Sequence, residues 1–400
     1  MRSGLQSNIW KYTLILITNK RVFVAILGAY YLTIPEVTPQ WIGTILLIGS
    51  IAGFLFQVPS GYFADKLGHK ETLIVARVFM VLSSFFLLIA NHVYLLILGG
   101  VFLSLSQAFH SGTGSAFMHE TLRALGREKE YSKVMGKASS LGFAVPVVLM
   151  VLVPFLVEFS YKLPFLVGLI LDVIGLIISF SLIKPPVTPE HVEEMGVTNF
   201  RDVLREGFRL RYFRHAIFMG IITGTLVSVG VFRAPYQSLL EVPVIWFGVF
   251  FGIGRALASL MLAYSGKLHT AFRDIYNFQA FLLIIFAFQL LLLGIIASPW
   301  VVVTLFLTIN AFQWGLSQVG TSFLVEIIKD SRFKATLLSI PGQIDMAVTA
   351  VASFGLGFAI QHLSYRLGFL CIAILFVAVL LPFYLYLYLY QDRSTLVPEH

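Results

Sequence analysis

Residues 59–73 read PSGYFADKLGHKETL, a charged turn set between two apolar runs. Upstream, residues 40–58 (QWIGTILLIGSIAGFLFQV) carry no ionisable side chain, and downstream residues 72–90 (TLIVARVFMVLSSFFLLIA) carry Arg77 alone. Runs of this length match the ~20 residues a helix needs to cross a bilayer, and the glycines at 61 and 68 suit a tight turn between two such helices. The runs far exceed the ~10 residues of a barrel strand and do not alternate, so helices are required.

The pattern extends along the chain. Of its 400 residues 58% are hydrophobic and 12% charged, with mean hydropathy +0.87, whereas a soluble domain carries about a quarter charged residues. Windows of about nineteen residues place spans near 12–34, 40–62, 71–90, 92–118, 137–158 and 161–183, then near 213–234, 243–265, 274–297, 299–325, 334–361 and 365–390. The longest polar stretch divides six spans from six. The expected organisation is therefore an N-terminal bundle over 1–183, a linker over 184–211 and a C-terminal bundle over 212–400. In the linker, Arg201, Arg205 and Arg209 recur every four residues opposite Phe200, Val203, Leu204 and Phe208, which suits a helix lying on an anionic membrane surface or a solvated tether.

A net charge of +8 would suggest nucleic acid in a soluble chain. Here most of the 28 lysines and arginines, Arg77 among them, fall in alternate loops, which makes the excess a topology signal with both termini cytoplasmic. Cys371 stands alone, so a disulfide framework or cysteine-based metal site is excluded. The N-terminus lacks a small-residue cleavage site after its first apolar stretch and is read as retained. No nucleotide-binding glycine loop or zinc-type histidine set is present, so neither enzyme chemistry nor a cofactor or metal is expected.

Gly61, Asp65, Lys66, Gly68 and Lys70 form a more specific pattern: glycine, three residues, aspartate, base, any residue, glycine, then two positions that are normally basic, here His69 and Lys70. It resembles the signature loop between the second and third helices of the major facilitator superfamily. FHSGTGSAFMHETL in the fourth span and RFKATLLSIPG entering the eleventh are similar to bacterial drug-efflux-like members. The resemblance implies two six-helix bundles with a substrate site near the midplane, and a latch in which Asp65 meets the start of the eleventh helix. Glu120, at the inner end of the fourth helix, resembles an acid that assists this loop in some relatives and is read as a gate residue. Two departures weaken the case for antiport: Gln57 stands where relatives often carry an acid, and the fifth span lacks a convincing glycine-proline antiporter motif. An internal echo pairs GYFADKLGHK with SGKLHTAFRD after the eighth span.

Ionisable groups inside a bilayer cost at least ~2.5 kcal/mol each and so demand a partner, a wet cavity or a function. Asp345, central in the eleventh span, is the candidate proton carrier, because apolar surroundings favour its neutral form. Arg255 either binds an anionic substrate group or neutralises Asp345 or Asp172, and Asp172 is expected to pack within its own half. Lys20 and Arg21 either face the cavity or, with a later start to the first helix, snorkel to the cytoplasmic interface, the favoured reading. His110 and His119 are read as hydrogen-bonded helix residues. The resemblance places the first, fourth, seventh and tenth helices around the cavity, which makes Gln107, Gln313 and Trp314 substrate-binding candidates.

The sequence thus describes an all-helical inner-membrane protein of twelve spans. Its expected work is secondary transport of a small molecule by alternating access, proton-linked efflux of an amphipathic compound, by a monomer whose partners are the substrate, protons and lipid. Uptake of a metabolite by symport or uniport is the rival within transport, and a non-transporting sensor on the same fold the rival outside it.

Overall fold

A computed structural model describes residues 2–186, 200–328 and 334–390. The first stretch holds α1 (Arg2–Thr18), α2 (Leu27–Tyr31), α3 (Pro39–Leu67), α4 (His69–Ile89), α5 (Val93–His110), α6 (Thr113–Ala124), α7 (Tyr131–Leu152) and α8 (Leu163–Phe180). The second holds α9 (Phe200–Arg209), α10 (Tyr212–Val231), α11 (Arg233–Leu239), α12 (Phe247–Ala263), α13 (Ser265–Phe272), α14 (Ile275–Ile295), α15 (Pro299–Gly315) and α16 (Ser317–Ile327). The third holds α17 (Lys334–His362) and α18 (Tyr365–Leu389). Every regular element among the described residues is helical.

Among the described residues eleven segments are long and apolar enough to cross a membrane, several built from two consecutive helices, as Val93–Ala124 is from α5 and α6. The first predicted span is the exception. Instead of one helix over 12–34, α1 starts at Arg2, stops at Thr18 after 17 residues, and residues 19–26 run as turns before α2. α1 carries Asn8 and Lys11, and the break coincides with the polar triplet Asn19-Lys20-Arg21.

The chain divides into two compact units, Met1–Val197 with Val231–Arg255, and Thr198–Gly230 with Ala256–His400. In the first, α4 packs on α5 and α8, α3 on α5, and α1 on α7 and α8. A buried cluster of Tyr12, Ile15, Leu73, Phe117, Met118, Leu122 and Leu182 ties α1, α4 and α6 together. Residues 231–255 join this unit through close approach: a Cβ at Gly28 would lie 2.6 Å from Pro235 and 2.8 Å from the Val231 carbonyl, and one at Gly248 would lie 2.6 Å from the Met150 carbonyl. In the second unit, α14 packs on α18 and α17 on α18, with Tyr212, Phe213, Ala216, Leu324, Ile328 and Leu337 as the corresponding cluster.

Candidate functional site

The signature stretch folds as two nearly continuous helices joined at one residue. α3 runs through Gly61 and Asp65 to Leu67, and Gly68 at φ 106° both ends it and starts α4. That φ is strained for any residue with a Cβ, so the backbone requires glycine here; a Cβ would also lie 2.7 Å from Glu71 Oε2 and 3.0 Å from Lys184 Nζ, the mobile ends of two long side chains. Gly61 lies within a helix rather than at a turn, and among the described residues no atom comes inside 4 Å of where a Cβ would stand. Lys66 is exposed and Lys70 half-buried in the first turn of α4. The side chain of Asp65, like residues 329–333 that precede α17, lies outside the described residues, and with it the expected latch. Glu120 on α6 does meet the loop, through His69 rather than a lysine: the histidine Nε2 and the carboxylate Oε1 are 3.2 Å apart.

Deeper in the first unit lies a network that sequence reasoning missed. Arg77, assigned by pattern to a cytoplasmic turn, is fully buried in α4. Its guanidinium donates to the Thr18 hydroxyl, to Asn19 Oδ1 at 3.0 Å and, at 3.5 Å, to the carbonyls of Ile15 and Thr18. These are carbonyls of the last turn of α1, which have no intrahelical partner, so Arg77 caps the half-helix and offsets the negative end of its dipole. Arg21 does not snorkel. It meets Asp172 on α8 at 3.3 Å and donates to Ser83 at 2.6 Å and to Ser84, while Ser84 donates to the same Asp172 oxygen. Asp172 is therefore engaged by Arg21, not by Arg255. The legible signal was the Ser83-Ser84 pair inside an apolar run, with Ser84 two helical turns after Arg77 on the same face of α4.

Arg255 sits halfway along α12 in the first unit, its guanidinium carbon 5.0 Å from the ring centre of Phe251 and 5.7 Å from that of Phe143. Gln107 is exposed on α5, its carbonyl accepting from the Ser111 amide at 2.9 Å. His110 ends α5, and His119 lies 3.2 Å from Glu128.

The second unit holds a cavity of about 220 Å³ bounded by α10, α14, α15, α16 and α17. Gln313, Trp314 and Asp345 line it together, with Thr223, Ser317 and the aromatic rings of Phe278, Phe286 and Phe312. Local sequence explains the arrangement. The helix breaks at Leu316 between α15 and α16, which turns Gln313, Trp314 and Ser317 to one side. Pro341, four residues before Asp345, lies on the same face and cannot donate to the Leu337 carbonyl; the Tyr212 hydroxyl takes that acceptor at 2.8 Å. Asp345 Oδ1 accepts from Thr349 Oγ1 at 3.1 Å, one turn on. Gly224 lets α10 lie against this turn, where a Cβ would come within 2.7 Å of the Asp345 carbonyl. Of the four binding candidates named from sequence, this cavity gathers Gln313 and Trp314, while Gln107 and Arg255 belong to the first unit. Among the described residues no group of three or more His, Cys, Asp and Glu could hold a metal ion.

Comparison with known proteins gives a consistent picture. The family model described as Major Facilitator Superfamily matches residues 12–340. The fold is similar to a crystal structure of the nucleoside transporter NupG, with 14% identity, TM-score 0.74, and 97% of this chain and 100% of that chain covered. It is also similar to a bacterial homologue of the human lysosomal transporter Spinster in an inward-facing, unoccupied conformation (13% identity, TM-score 0.71, covering 97% and 96%). A POT family transporter in complex with 5-aminolevulinic acid matches at 13% identity and TM-score 0.69, covering 96% of each chain. At such identities the likeness establishes the fold alone. No curated protein sequence matches the chain significantly.

Proposed function

The chain belongs to the major facilitator superfamily, and from that premise we propose that it is a secondary transporter that exports a small amphipathic compound by alternating access, driven by protons carried on Asp345. The observation that carries this reading is a cavity of the second unit: one carboxylate, one amide, one indole and the hydroxyls of Thr223, Ser317 and Thr321 on an otherwise apolar, aromatic wall. Such a wall accepts a greasy solute with few polar groups. A carboxylate held through a neutral hydroxyl one turn away is held loosely enough to gain and lose a proton in a cycle.

The broken segment α1–α2 serves as the twelfth crossing, so that both termini are cytoplasmic as the loop bases require. The protein is then a multi-pass component of the inner membrane, with the turn at Gly68 and its Glu120 contact on the cytoplasmic side and Asp65 as the latch. Helix α9 carries Arg205 and Arg209 and suits the anionic membrane surface.

Purified protein in proteoliposomes tests the proposal. Solute flux should follow an imposed pH gradient, and Asp345→Asn should leave flux insensitive to that gradient. Unchanged coupling in the variant removes Asp345 from the role, and absence of flux for every ligand that binds removes transport.

A further inference from the structure

Thr349 on α17 and Ser228 on α10 are buried, and each hydroxyl has two acceptors within reach. Thr349 Oγ1 lies 3.1 Å from Asp345 Oδ1, inside its own helix, and 3.3 Å from the Gly224 carbonyl of α10. Ser228 Oγ lies 2.8 Å from that same Gly224 carbonyl, inside its own helix, and 3.3 Å from the Thr349 carbonyl of α17. A hydroxyl has one hydrogen to donate, so each side chain chooses between a bond within its helix and a bond across to the other. Either choice is open without moving a heavy atom. Asp345 decides between them. As a carboxylate it only accepts, and a bond to a charged oxygen outweighs one to a carbonyl, so Thr349 donates to Asp345 and Ser228 keeps the Gly224 carbonyl. When a proton binds at Oδ1, the new acid O–H donates to Thr349 Oγ1. The Thr349 hydrogen then turns to the Gly224 carbonyl and displaces Ser228 onto the Thr349 carbonyl. Two bonds within helices become two bonds between them.

We propose that Thr349 is a positioning residue that carries the protonation state of Asp345 to α10: a loaded proton fastens α10 to α17, and its release lets them part. α10 supplies Met219, Ile222, Thr223, Leu226 and Val227 to the cavity wall, so the fastening fixes one side of the substrate chamber. Among the described residues Asp345 is the one ionisable side chain lining that cavity. On the surrounding helices the other charged or titrating groups stand near helix ends. Arg214 and His215 lie at the start of α10, with His215 Nδ1 3.1 Å from Gln279 Oε1; Glu326 at the end of α16 faces His269; Arg366 at the start of α18 donates to the Ile295 carbonyl at 2.7 Å. The inference rests on the reading of Asp345 as proton carrier and deepens it with the means by which the proton acts on the wall.

The test is amide hydrogen exchange of the full-length protein in lipid nanodiscs, followed peptide by peptide from mildly acidic to mildly alkaline pH and corrected for the intrinsic rate. Relative to α14 as internal reference, α10 should exchange at least about threefold more slowly on the acid side. Thr349→Val keeps the side-chain shape without the hydroxyl, and Asp345→Asn removes the titrating group. Each should leave α10 exchange independent of pH, whereas Thr349→Ser should keep the dependence. A flat wild-type profile, an unaltered one in Thr349→Val, or a lost one in Thr349→Ser overturns the proposal. A dependence that survives in Asp345→Asn assigns it to another group, His215 first, and overturns it too. Should Thr349→Val fail to fold, Ser228→Ala still decides: it removes one of the two cross-helix bonds and should show a smaller dependence, and an undiminished one counts against the switch. Proton-driven flux is a separate readout. Flux that needs Asp345 while α10 exchange stays flat overturns this inference and leaves the proton carrier standing; a switch seen in exchange, with flux coupling unchanged in Asp345→Asn, removes the carrier instead.

Discussion

The two units bury their polar groups in opposite ways. In the first, Arg77 meets Thr18 and Asn19 while Arg21 meets Asp172, Ser83 and Ser84, so that each buried arginine has several partners. In the second, Asp345 stands in an aromatic cavity with the Thr349 hydroxyl as its partner. A charge deep in a bilayer protein can be either structural or functional. The number and kind of its partners distinguishes the two: the network fixes a broken helix in place, whereas a carboxylate bonded to a neutral hydroxyl beside open space can change its protonation without dismantling its surroundings.

The largest effect that would break this comparison lies in the first unit. Asp172→Ala leaves Arg21 buried without its counter-charge and should destabilise by about 3–5 kcal/mol, read as a lowered unfolding midpoint and reduced yield of folded protein. Replacing both partners, Arg21→Met with Asp172→Leu, should recover much of that loss. If Asp172→Ala unfolds no earlier than Asp345→Ala, the distinction between the units is wrong. Next in size is a pair of glycines. A methyl group at Gly175 on α8 would collide with the Arg77 guanidinium and the Thr18 hydroxyl, so Gly175→Ala should cost about 1–3 kcal/mol. Gly355 on α17 has no atom within 4 Å of its Cβ direction, and alanine there should stabilise by about 0.5–1 kcal/mol through helix propensity alone. Equal midpoints for the two variants would show that the network tolerates displacement.

Much of the fold was written in hydropathy, because a span of twenty apolar residues has few other places to go. Eleven segments follow the windows closely. The first did not, since its break at Asn19-Lys20-Arg21 contains neither glycine nor proline and is enforced from outside, by Arg77 capping the last turn of α1. The same cause misplaced Arg77 itself: a base near the end of an apolar run looks like a loop residue until its acceptors are known. In the candidate site, Asp345, Gln313 and Trp314 were legible as polar groups on apolar helices. Their common cavity was legible only through the helix pairing suggested by the family resemblance. The approach of Arg233 to the Phe251 ring, 4.5 Å from its centre, left no mark in the sequence, because the two lie on different helices joined by an irregular turn, whereas Arg255 follows Phe251 by one turn of the same helix.

A smaller effect on stability, but a decisive one on function, is expected at Asp345. Asparagine keeps an acceptor for Thr349, so Asp345→Asn should shift stability by less than about 1 kcal/mol, while transport loses its dependence on the proton gradient. A shift as large as that of Asp172→Ala would mean that the carboxylate is structural after all, and the two units would no longer differ in kind.

The smallest effect sharpens the comparison by asking where the units agree. His69 Nε2 lies 3.2 Å from Glu120 on α6, and His269 Nε2 lies 3.2 Å from Glu326 on α16, in each case joining the residues around the turn after one helix to the end of another, although the sequence echo does not align the two histidines. Each is an ion pair when the imidazole is protonated. The first is the more sheltered, with Glu120 23% exposed against 59% for Glu326. His69→Gln should therefore lower the unfolding midpoint more than His269→Gln, both by no more than about 1 kcal/mol. A transport assay on the same two variants then separates scaffold from gate. Equal flux makes the couple a repeated structural fastening, whereas a loss confined to His69→Gln assigns gating to the loop that carries Gly68 and leaves its echo in the second unit as packing.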